Sequence, residues 1–146
     1  MRRVIFATAD DMAGVAALEA ATFADPTSEG ALRSLISTNG AFCALCVEDG
    51  ALLGFCTVVT VLDEAQIINV ATDARHKRQG VASEVLGFVL DECRARGIIS
   101  ISLEVRESNE AAISLYKAHG FSVVGKRRDF YSNPRENALV MVKNSD

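Results

Sequence analysis

Arg78-Gln79-Gly80-Val81-Ala82-Ser83 joins an apolar run, Ile67 to Ala71, to a strongly helical pattern. The pattern consists of apolar residues at steps of one, three and four: Val81, Ala82, Val85, Leu86, Val89, Leu90 and Cys93. A strand that turns through a glycine into a helix leaves backbone N–H groups unpaired at the helix start, where the dipole also favours an anion. Arg75 and Lys77 add positive charge nearby. The turn therefore predicts a site for a phosphate-bearing ligand.

The sequence on both sides of this turn predicts a mixed sheet with helices on both faces. The predicted strands are Val4–Ala7, Ala41–Val47, Ala51–Leu62, Ala65–Ala71, Ile98–Val105, Phe121–Gly125 and Ala138–Val142. Two helices, one capped by Asp10 and one beginning near Ser28, precede the second strand, and a third runs from the turn to about Arg96. A fourth helix spans Asn109–His119, with Gly120 as its stop.

Connections between the predicted elements determine the fold class. Glu48-Asp49-Gly50 is a hairpin signal, so the early strands are antiparallel. The strand–helix–strand unit from Ala65 to Val105 predicts a parallel crossover. We therefore expect an α/β fold with a mixed, mostly antiparallel sheet and a parallel β-α-β core, forming one domain over residues 1–146.

Composition narrows the function classes. The 146 residues carry a formal charge of −4, which argues against a dedicated nucleic-acid binder. No apolar stretch reaches transmembrane length, and Met1-Arg2-Arg3-Val4-Ile5 lacks the apolar core of a signal peptide. We expect a cytoplasmic monomer or homodimer that binds neither membrane nor nucleic acid.

The spacing of Cys43 and Cys46 is compatible with redox or zinc chemistry. Both cysteines lie in a predicted buried strand, and residues three apart on a strand point to opposite faces. The sequence offers no second such pair and no paired histidines to complete a site. We therefore expect buried, reduced thiols and no metal site.

The strand Ile98–Val105 alternates between apolar and polar side chains. Ile99, Ile101, Leu103 and Val105 share one face, and Ser100, Ser102 and Glu104 share the other. Glu104 is near the carboxyl end of the strand, where ligands of α/β sheets gather. The pattern leaves open a catalytic carboxylate, an ion pair with Arg106, or a solvated side chain.

The last predicted helix offers further polar candidates. Asn109 is a good N-cap residue, and a ligand contact is equally open. Tyr116 shares the inner stripe with Ala112, Leu115 and His119, so its ring suits the core while its hydroxyl requires a partner. His119 ends the helix, a position that the dipole alone favours.

Six segments stand in a distinctive order and spacing. They are Asn69-Val70-Ala71-Thr72, Lys77-Arg78-Gln79-Gly80-Val81-Ala82, Leu103-Glu104-Val105-Arg106, Ser108-Asn109-Glu110-Ala111-Ala112, Leu115-Tyr116 and Gly120-Phe121. Together they resemble the acetyl-CoA-binding core of the GCN5-related N-acetyltransferases, the GNAT family. Val61-Leu62-Asp63-Glu64-Ala65 and Arg127-Arg128-Asp129-Phe130-Tyr131 resemble the RimI type, the ribosomal-protein alanine N-acetyltransferases.

The resemblance implies a role for each matching residue. Backbone groups of Val70, Ala71 and Thr72 would bind the pantetheine arm of acetyl-CoA, and those of Arg78, Gln79, Gly80, Val81, Ala82 and Ser83 would bind its pyrophosphate. Asn109 would contact the pantetheine or the thiol end. Glu104 would be the general base and Tyr116 the general acid. The amine would attack the thioester directly, without a cysteine nucleophile or a metal.

The acceptor implied by the RimI type is the N-terminal α-amine of a protein. Exposing a neutral amine at pH 7 costs about 1 kcal/mol for an α-amine and about 4.6 kcal/mol for lysine, so one carboxylate base suits the former. Two segments depart from the RimI pattern. Asp25-Pro26-Thr27-Ser28 stands where a tryptophan tends to follow the proline, and the loop Ser132–Asn137 lacks the expected acidic character.

Three functions remain open from the sequence, two of them enzymatic and one of a different class. They are protein N-terminal acetylation, acetylation of a small amine such as an amino acid, polyamine or antibiotic, and a CoA-binding regulatory module without turnover. Retention of both Glu104 and Tyr116 disfavours the regulatory module. A nucleotide-binding P-loop is also disfavoured, because no Gly-Lys-Ser/Thr follows the turn.

Overall fold

A seven-stranded sheet organises the protein, of which the computed structural model describes residues 1–144. The strands are β1 (Arg3–Phe6), β2 (Ala41–Glu48), β3 (Ala51–Val61), β4 (Glu64–Thr72), β5 (Ser100–Arg106), β6 (Ser122–Tyr131) and β7 (Glu136–Asn144). The helices are α1 (Met12–Thr22), α2 (Glu29–Ile36), α3 (Val81–Ala95) and α4 (Glu110–Ala118). The strand order is β1-β2-β3-β4-β5-β7-β6, and all neighbours are antiparallel except β4 and β5. The predicted α/β class and mixed sheet are confirmed.

Helices cover both faces of the sheet, and each face has its own apolar core. On one face, α3 buries Val85, Leu86 and Val89 together with Tyr116 of α4. On the other face, α1 and α2 bury a second cluster that includes Met12. Each fully buried aliphatic side chain contributes about 1.5–3 kcal/mol relative to an exposed one, so the two cores hold the helices against the sheet.

The four cysteines are buried and free. Cys46 packs in the core beneath α3, whereas Cys43 packs in the core beneath α1 and α2. The prediction that their side chains point to opposite faces is therefore confirmed. Burial raises the pKa of the Cys43 thiol to about 11, so this thiol stays protonated at neutral pH.

Two local predictions were wrong. Asp10 does not cap the first helix, because a 3-10 turn over Ala9–Asp11 begins after Thr8, whose N–H donates to Asp11 Oδ2 at 2.8 Å. Ile99 does not join the buried face, since it is 53% exposed and β5 begins only at Ser100. Ile98 is buried instead, and its N–H bonds the last turn of α3 at the Cys93 carbonyl, 2.9 Å away.

The pairing of β4 with β5 ends early, and this opens the centre of the sheet. Only Glu64–Gln66 of β4 pair with β5, opposite Ser100–Ser102. Immediately beyond, the register of β4 against β3 shifts at Ile68, which is an extra residue in β4. The carboxyl ends of the two strands are therefore left unpaired with each other. The longest helix, α3, has 15 residues, and no helix within residues 1–144 has the length and apolar character to cross a membrane.

Candidate active site

Two clefts meet at the carboxyl ends of β4 and β5. The strand cleft, about 580 Å³, lies between residues 67–70 of β4 and 103–106 of β5, and it is closed by residues 22–25, Asn109, Tyr131, Asn133 and Pro134. The turn cleft, about 550 Å³, lies between residues 70–72, residues 76–83 except Gln79, and residues 111, 112, 115 and 116 of α4. Both clefts are lined by Val70, Lys77, Ala112 and Tyr116. They therefore form one continuous groove across the sheet end.

The floor of the turn cleft is the start of α3. Gly80 has φ 79° and Arg78 has φ 62°, so the turn contains two left-handed residues, and glycine adopts this conformation without steric cost. The intrahelical ladder begins with the Glu84 N–H, which donates to the Gly80 carbonyl at 3.0 Å. The N–H groups of the preceding first turn have no intrahelical acceptor. Unpaired N–H groups at a helix start, together with the helix dipole, are the arrangement that favours an anion, as the sequence predicted for this turn.

A close approach fixes the turn against the sheet. Gly54 of β3 faces the helix start, where an added Cβ would lie 2.7 Å from Val81 Cγ1 and 2.9 Å from the Ala71 carbonyl oxygen. A side chain at position 54 would therefore push α3 away from β4. Glycine here lets the helix start and the unpaired part of β4 become two sides of one cleft.

The cationic residues around the turn differ from the expectation. Arg75 is 81% exposed and pairs with Asp73, with Nε and Oδ1 3.1 Å apart. Hydrogen bonds from Arg75 lower the pKa of Asp73 to about 2, so the pair remains charged and mutually neutralised at neutral pH. Lys77 lines both clefts, as expected. His76 lines the turn cleft. His76 was missed, although it immediately precedes Lys77 in the sequence.

Most of the predicted cofactor-binding residues line the turn cleft: Val70, Ala71, Thr72, Arg78, Gly80, Val81, Ala82 and Ser83. Gln79 does not, and its carbonyl instead accepts a hydrogen bond from Arg2 Nη2 at 2.6 Å. Asn109 lines the strand cleft. Its side chain also accepts the Ala112 N–H at 3.1 Å, so its predicted role as the cap of α4 is confirmed.

Glu104 lies in the strand cleft with both carboxylate oxygens engaged. Oε1 accepts from Gln66 Nε2 at 3.2 Å, and Oε2 pairs with Arg127 Nε at 3.0 Å. The side chain remains 18% exposed. The open alternative of an ion pair with Arg106 is wrong, because Arg106 pairs with Glu136 at 3.2 Å.

Tyr116 projects from α4 to the junction of the two clefts. Its ring is 7% exposed and packs edge-on against Phe121, with 5.8 Å between the centroids. Burial raises the pKa of the phenol. Within residues 1–144, the phenol has no hydrogen-bond partner that would lower this pKa again. The hydroxyl is therefore a protonated, unengaged donor beside the groove.

The far wall of the strand cleft is organised by Arg106. Its guanidinium lies 4.4 Å from the centre of the Tyr131 ring, and it donates to the Ser132 carbonyl at 3.1 Å and the Pro134 carbonyl at 2.9 Å. Glu136 accepts from Arg106 and also from the Ser108 N–H at 2.6 Å. Tyr131 and Arg127 were missed as site residues, because β6 extends to Tyr131 whereas the sequence predicted a strand ending at Gly125.

Both the sequence and the fold match those of known proteins. The profile of the acetyltransferase (GNAT) family matches residues 12–121. The chain belongs to this family. A [ribosomal protein bS18]-alanine N-acetyltransferase of Escherichia coli (strain K12) is 40% identical over 96 residues, which cover 64% of this chain and 65% of that relative. The match thus spans just under two thirds of the relative's own length.

Solved structures agree with GNAT membership. The ribosomal-protein-S18-alanine N-acetyltransferase from Escherichia coli superposes with a TM-score of 0.92 and 32% identity, covering 99% of this chain and 94% of that one. The PaiA N-acetyltransferase from Thermoplasma acidophilum, solved in complex with coenzyme A, has the same fold, with a TM-score of 0.81 and 15% identity over 99% of both chains. Both likenesses extend beyond the family profile to nearly the whole chain.

Proposed function

We propose that this GNAT protein is an acetyl-CoA-dependent N-acetyltransferase that modifies the N-terminal α-amine of a protein, with alanine as the preferred first residue. The observation that carries the proposal is that Tyr116 lines both clefts and shares the strand cleft with the Glu104 carboxylate. The proposal takes residues 1–146 as one domain that acts in the cytoplasm. The name of the Escherichia coli relative supports the choice of acceptor.

Acetyl-CoA fits the turn cleft in charge and shape. The free N–H groups at the start of α3, with Lys77 and Arg78 beside them, suit a pyrophosphate. Backbone groups of Val70, Ala71 and Thr72 that are not used by β3 suit the amides of a pantetheine arm running toward Tyr116. Bound acetyl-CoA supplies the acetyl group as an activated thioester, and no metal is required.

Glu104 is the proposed general base. An N-terminal amine arrives mainly as an ammonium ion, and only its neutral form can attack a thioester carbonyl. Glu104 removes the ammonium proton, and such base catalysis typically contributes about 10²–10⁴ in rate. Gln66 and Arg127 hold the carboxylate in place at the strand cleft.

Tyr116 is the proposed general acid. When the thioester C–S bond breaks, the leaving thiolate requires a proton. The raised pKa of the buried phenol keeps that proton on Tyr116 at neutral pH, and within residues 1–144 its hydroxyl has no hydrogen-bond partner. Asn109 lines the same strand cleft at the start of α4, the helix that carries Tyr116, and can orient the sulfur end.

The strand cleft is suited to the end of a polypeptide. It is bounded by residues 22–25 after α1 on one side and by Tyr131, Asn133 and Pro134 on the other. The cleft admits a chain end between these walls. A single carboxylate base also suffices for an α-amine, whose deprotonation at pH 7 costs about 1 kcal/mol compared with about 4.6 kcal/mol for lysine.

The test is a peptide panel assayed with acetyl-CoA. A peptide with the N-terminal residues of bS18, the same peptide with a blocked N-terminus, and small amines should be compared by mass spectrometry and thiol release. We expect one acetyl group on the free α-amine and none on the blocked peptide. Acetylation of an amino acid, polyamine or antibiotic alone would establish the small-amine function instead. Tight acetyl-CoA binding without turnover on any amine would establish a regulatory module.

A further inference from the structure

We propose that Arg2 is a positioning residue that holds the 78–83 turn in its anion-binding conformation and neutralises Glu84 beside it. The inference rests on the proposed function, because it assigns Arg2 to the binding of acetyl-CoA. Arg2 lies outside the family profile and 76 or more residues from the turn in sequence. It lines neither cleft, so its effect must pass through the turn.

The contacts of Arg2 straddle the glycine of the turn. Nη2 donates to the Gln79 carbonyl at 2.6 Å, and Nε donates to Glu84 Oε1 at 3.0 Å. The Arg2 side chain is only 26% exposed. Arg2 also immediately precedes β1, which is paired with β2, so its backbone is anchored to the sheet. One guanidinium thus ties the turn and the first turn of α3 to the sheet.

Fixing the Gln79 carbonyl fixes the next N–H group. A trans peptide is planar, so its carbonyl and its N–H point in opposite directions. The carbonyl of the Gln79–Gly80 peptide points to Arg2, and the Gly80 N–H therefore points to the opposite side of the turn. The flanking residues Arg78 and Gly80 are both left-handed, and a non-glycine residue adopts that conformation at a cost in free energy. The hydrogen bond from Arg2 offsets that cost.

Glu84 is otherwise unfavourable for an anion site. It lies in the first turn of α3, where a carboxylate stabilises the helix start through the dipole. The same carboxylate would repel a pyrophosphate bound at the adjacent N–H groups. Pairing with Arg2 cancels this charge toward the ligand while leaving the helix start stabilised. The cationic residues that line the turn cleft, Lys77 and Arg78, then attract a bound anion without opposition from the Glu84 charge.

The test is calorimetric binding of acetyl-CoA to Arg2→Ala, Arg2→Lys and Arg3→Ala, beside turnover on the bS18 peptide. Arg3 is the matched control, because it is the next residue and its side chain is exposed. We expect Arg2→Ala to raise the Kd for acetyl-CoA about tenfold, with kcat at saturating acetyl-CoA nearly unchanged. Arg2→Lys should fall between, since a single ammonium cannot donate to both the carbonyl and the carboxylate. Arg3→Ala should bind as the wild type does.

A double variant separates the two parts of the role. If neutralisation of the Glu84 charge dominates, adding Glu84→Gln to Arg2→Ala should restore most of the lost affinity for acetyl-CoA. If the contact of Arg2 with the Gln79 carbonyl dominates, the added Glu84→Gln should restore little of it. The inference is overturned if Arg2→Ala or Arg2→Lys binds acetyl-CoA with the same Kd as Arg3→Ala. If Arg2→Ala does not fold, the comparison is made with Arg2→Lys alone. Wild-type protein that binds acetyl-CoA but acetylates no peptide overturns the proposed function alone.

Discussion

The wall of the turn cleft along residues 70–83 comes from one continuous stretch of chain, whereas the far wall of the strand cleft combines Arg106, Tyr131 at the end of β6, and the loop residues Asn133 and Pro134. The first wall presents mainly backbone groups, placed by a strand, a glycine turn and a helix start. The second wall depends on side-chain contacts between distant segments, such as Arg106 with the Pro134 carbonyl. We infer that the backbone-built wall tolerates side-chain substitution, while the side-chain-built wall is where acceptor choice can vary.

The largest effect is expected at Tyr116, which lies where the two clefts meet. Tyr116→Phe should lower kcat by about 10²–10⁴-fold, because the leaving thiolate loses its proton donor, and should leave the Kd for acetyl-CoA nearly unchanged. Burial raises the pKa of this phenol, so the wild-type kcat should show no loss from its ionisation up to about pH 10. Stopped-flow or thiol-release kinetics across that pH range provide the measurement.

Tyr131→Phe is the matched control for Tyr116→Phe. It removes the same hydroxyl from a ring that lines the strand cleft only. Its effect should be confined to the KM for the peptide. A turnover number that is equal in Tyr116→Phe and in wild type would remove Tyr116 from the chemistry.

The next effect is expected at Glu104, within the strand cleft. Glu104→Gln should lower kcat/KM by about 10²-fold at pH 7, because the acceptor ammonium loses its base. The deficit should shrink above about pH 8, where much of an α-amine is already neutral. Glu107→Gln, which removes a carboxylate paired with Lys126 at 2.7 Å, should not show this pH dependence. A deficit that is constant from pH 6 to pH 9 would contradict the assignment.

A smaller effect is expected from changing the backbone-built wall. Gly80→Ala should raise the Kd for acetyl-CoA about tenfold, because a left-handed alanine costs about 1–2 kcal/mol and the turn relaxes away from the binding conformation. Gly87→Ala is the control in the same helix, where no atom lies within 4 Å of an added Cβ. It should raise the free energy of unfolding by about 0.5–1 kcal/mol and leave the Kd unchanged. Equal Kd values for the two variants would refute a special role for the turn.

The smallest effect is expected at Glu136, which holds Arg106 and Ser108 in the far wall of the strand cleft. Glu136→Gln should raise the KM for the peptide without changing the Kd for acetyl-CoA, since Glu136 holds Ser108 and Arg106 in place. Hydrogen bonds from Ser108 and then Arg106 lower the pKa of Glu136. Its stabilising contribution is therefore complete above the unfolded pKa of about 4.3 and is lost as the pH falls through the lower folded pKa.

Thermal melting provides the measurement for that pH dependence. The Tm difference between wild type and Glu136→Gln should be constant near neutral pH and should vanish at acidic pH. A difference that persists after Glu136 is protonated would show that the carboxylate charge is not the source. A changed Kd for acetyl-CoA would show that the two walls are coupled through α4.

The sequence predicted the backbone-built wall well because its signals are local. The apolar stripe of α3, the glycine at position 80 and the asparagine cap at position 109 each act within a few residues, and the structure has all of them in the predicted elements. The wrong assignment of Ile99 to the buried face of β5 shows the limit of prediction from local signals. Alternation alone did not reveal that β5 begins two residues later than predicted, at Ser100, after Ile98 has turned into the core.

The side-chain-built wall was less predictable for a physical reason. β6 lies at the end of the sheet and is largely exposed, so its residues show no alternation of apolar and polar character. Its pairing with β7 also shifts register twice. The pairing of Arg127 with Glu104 depends on that register, and no spacing in the sequence encodes it. The roles proposed for Glu104, Tyr116 and the pyrophosphate-binding turn stay predictions until the kinetic and binding tests are done.

The early end of the β4–β5 pairing gives this sheet an edge in its interior. Exposed strand edges ordinarily invite pairing with other chains and so promote aggregation. β6 is the outermost strand at one end of the sheet, and it carries three consecutive cationic residues, Lys126, Arg127 and Arg128. Charged side chains on an edge strand oppose its pairing with other chains. The interior edge along residues 67–72 is instead flanked by β5 and α4, which line the clefts beside it, so another sheet would have to displace them in order to pair there. The hydrogen-bonding capacity of an edge strand is thus kept at a place where flanking elements hinder pairing with other chains.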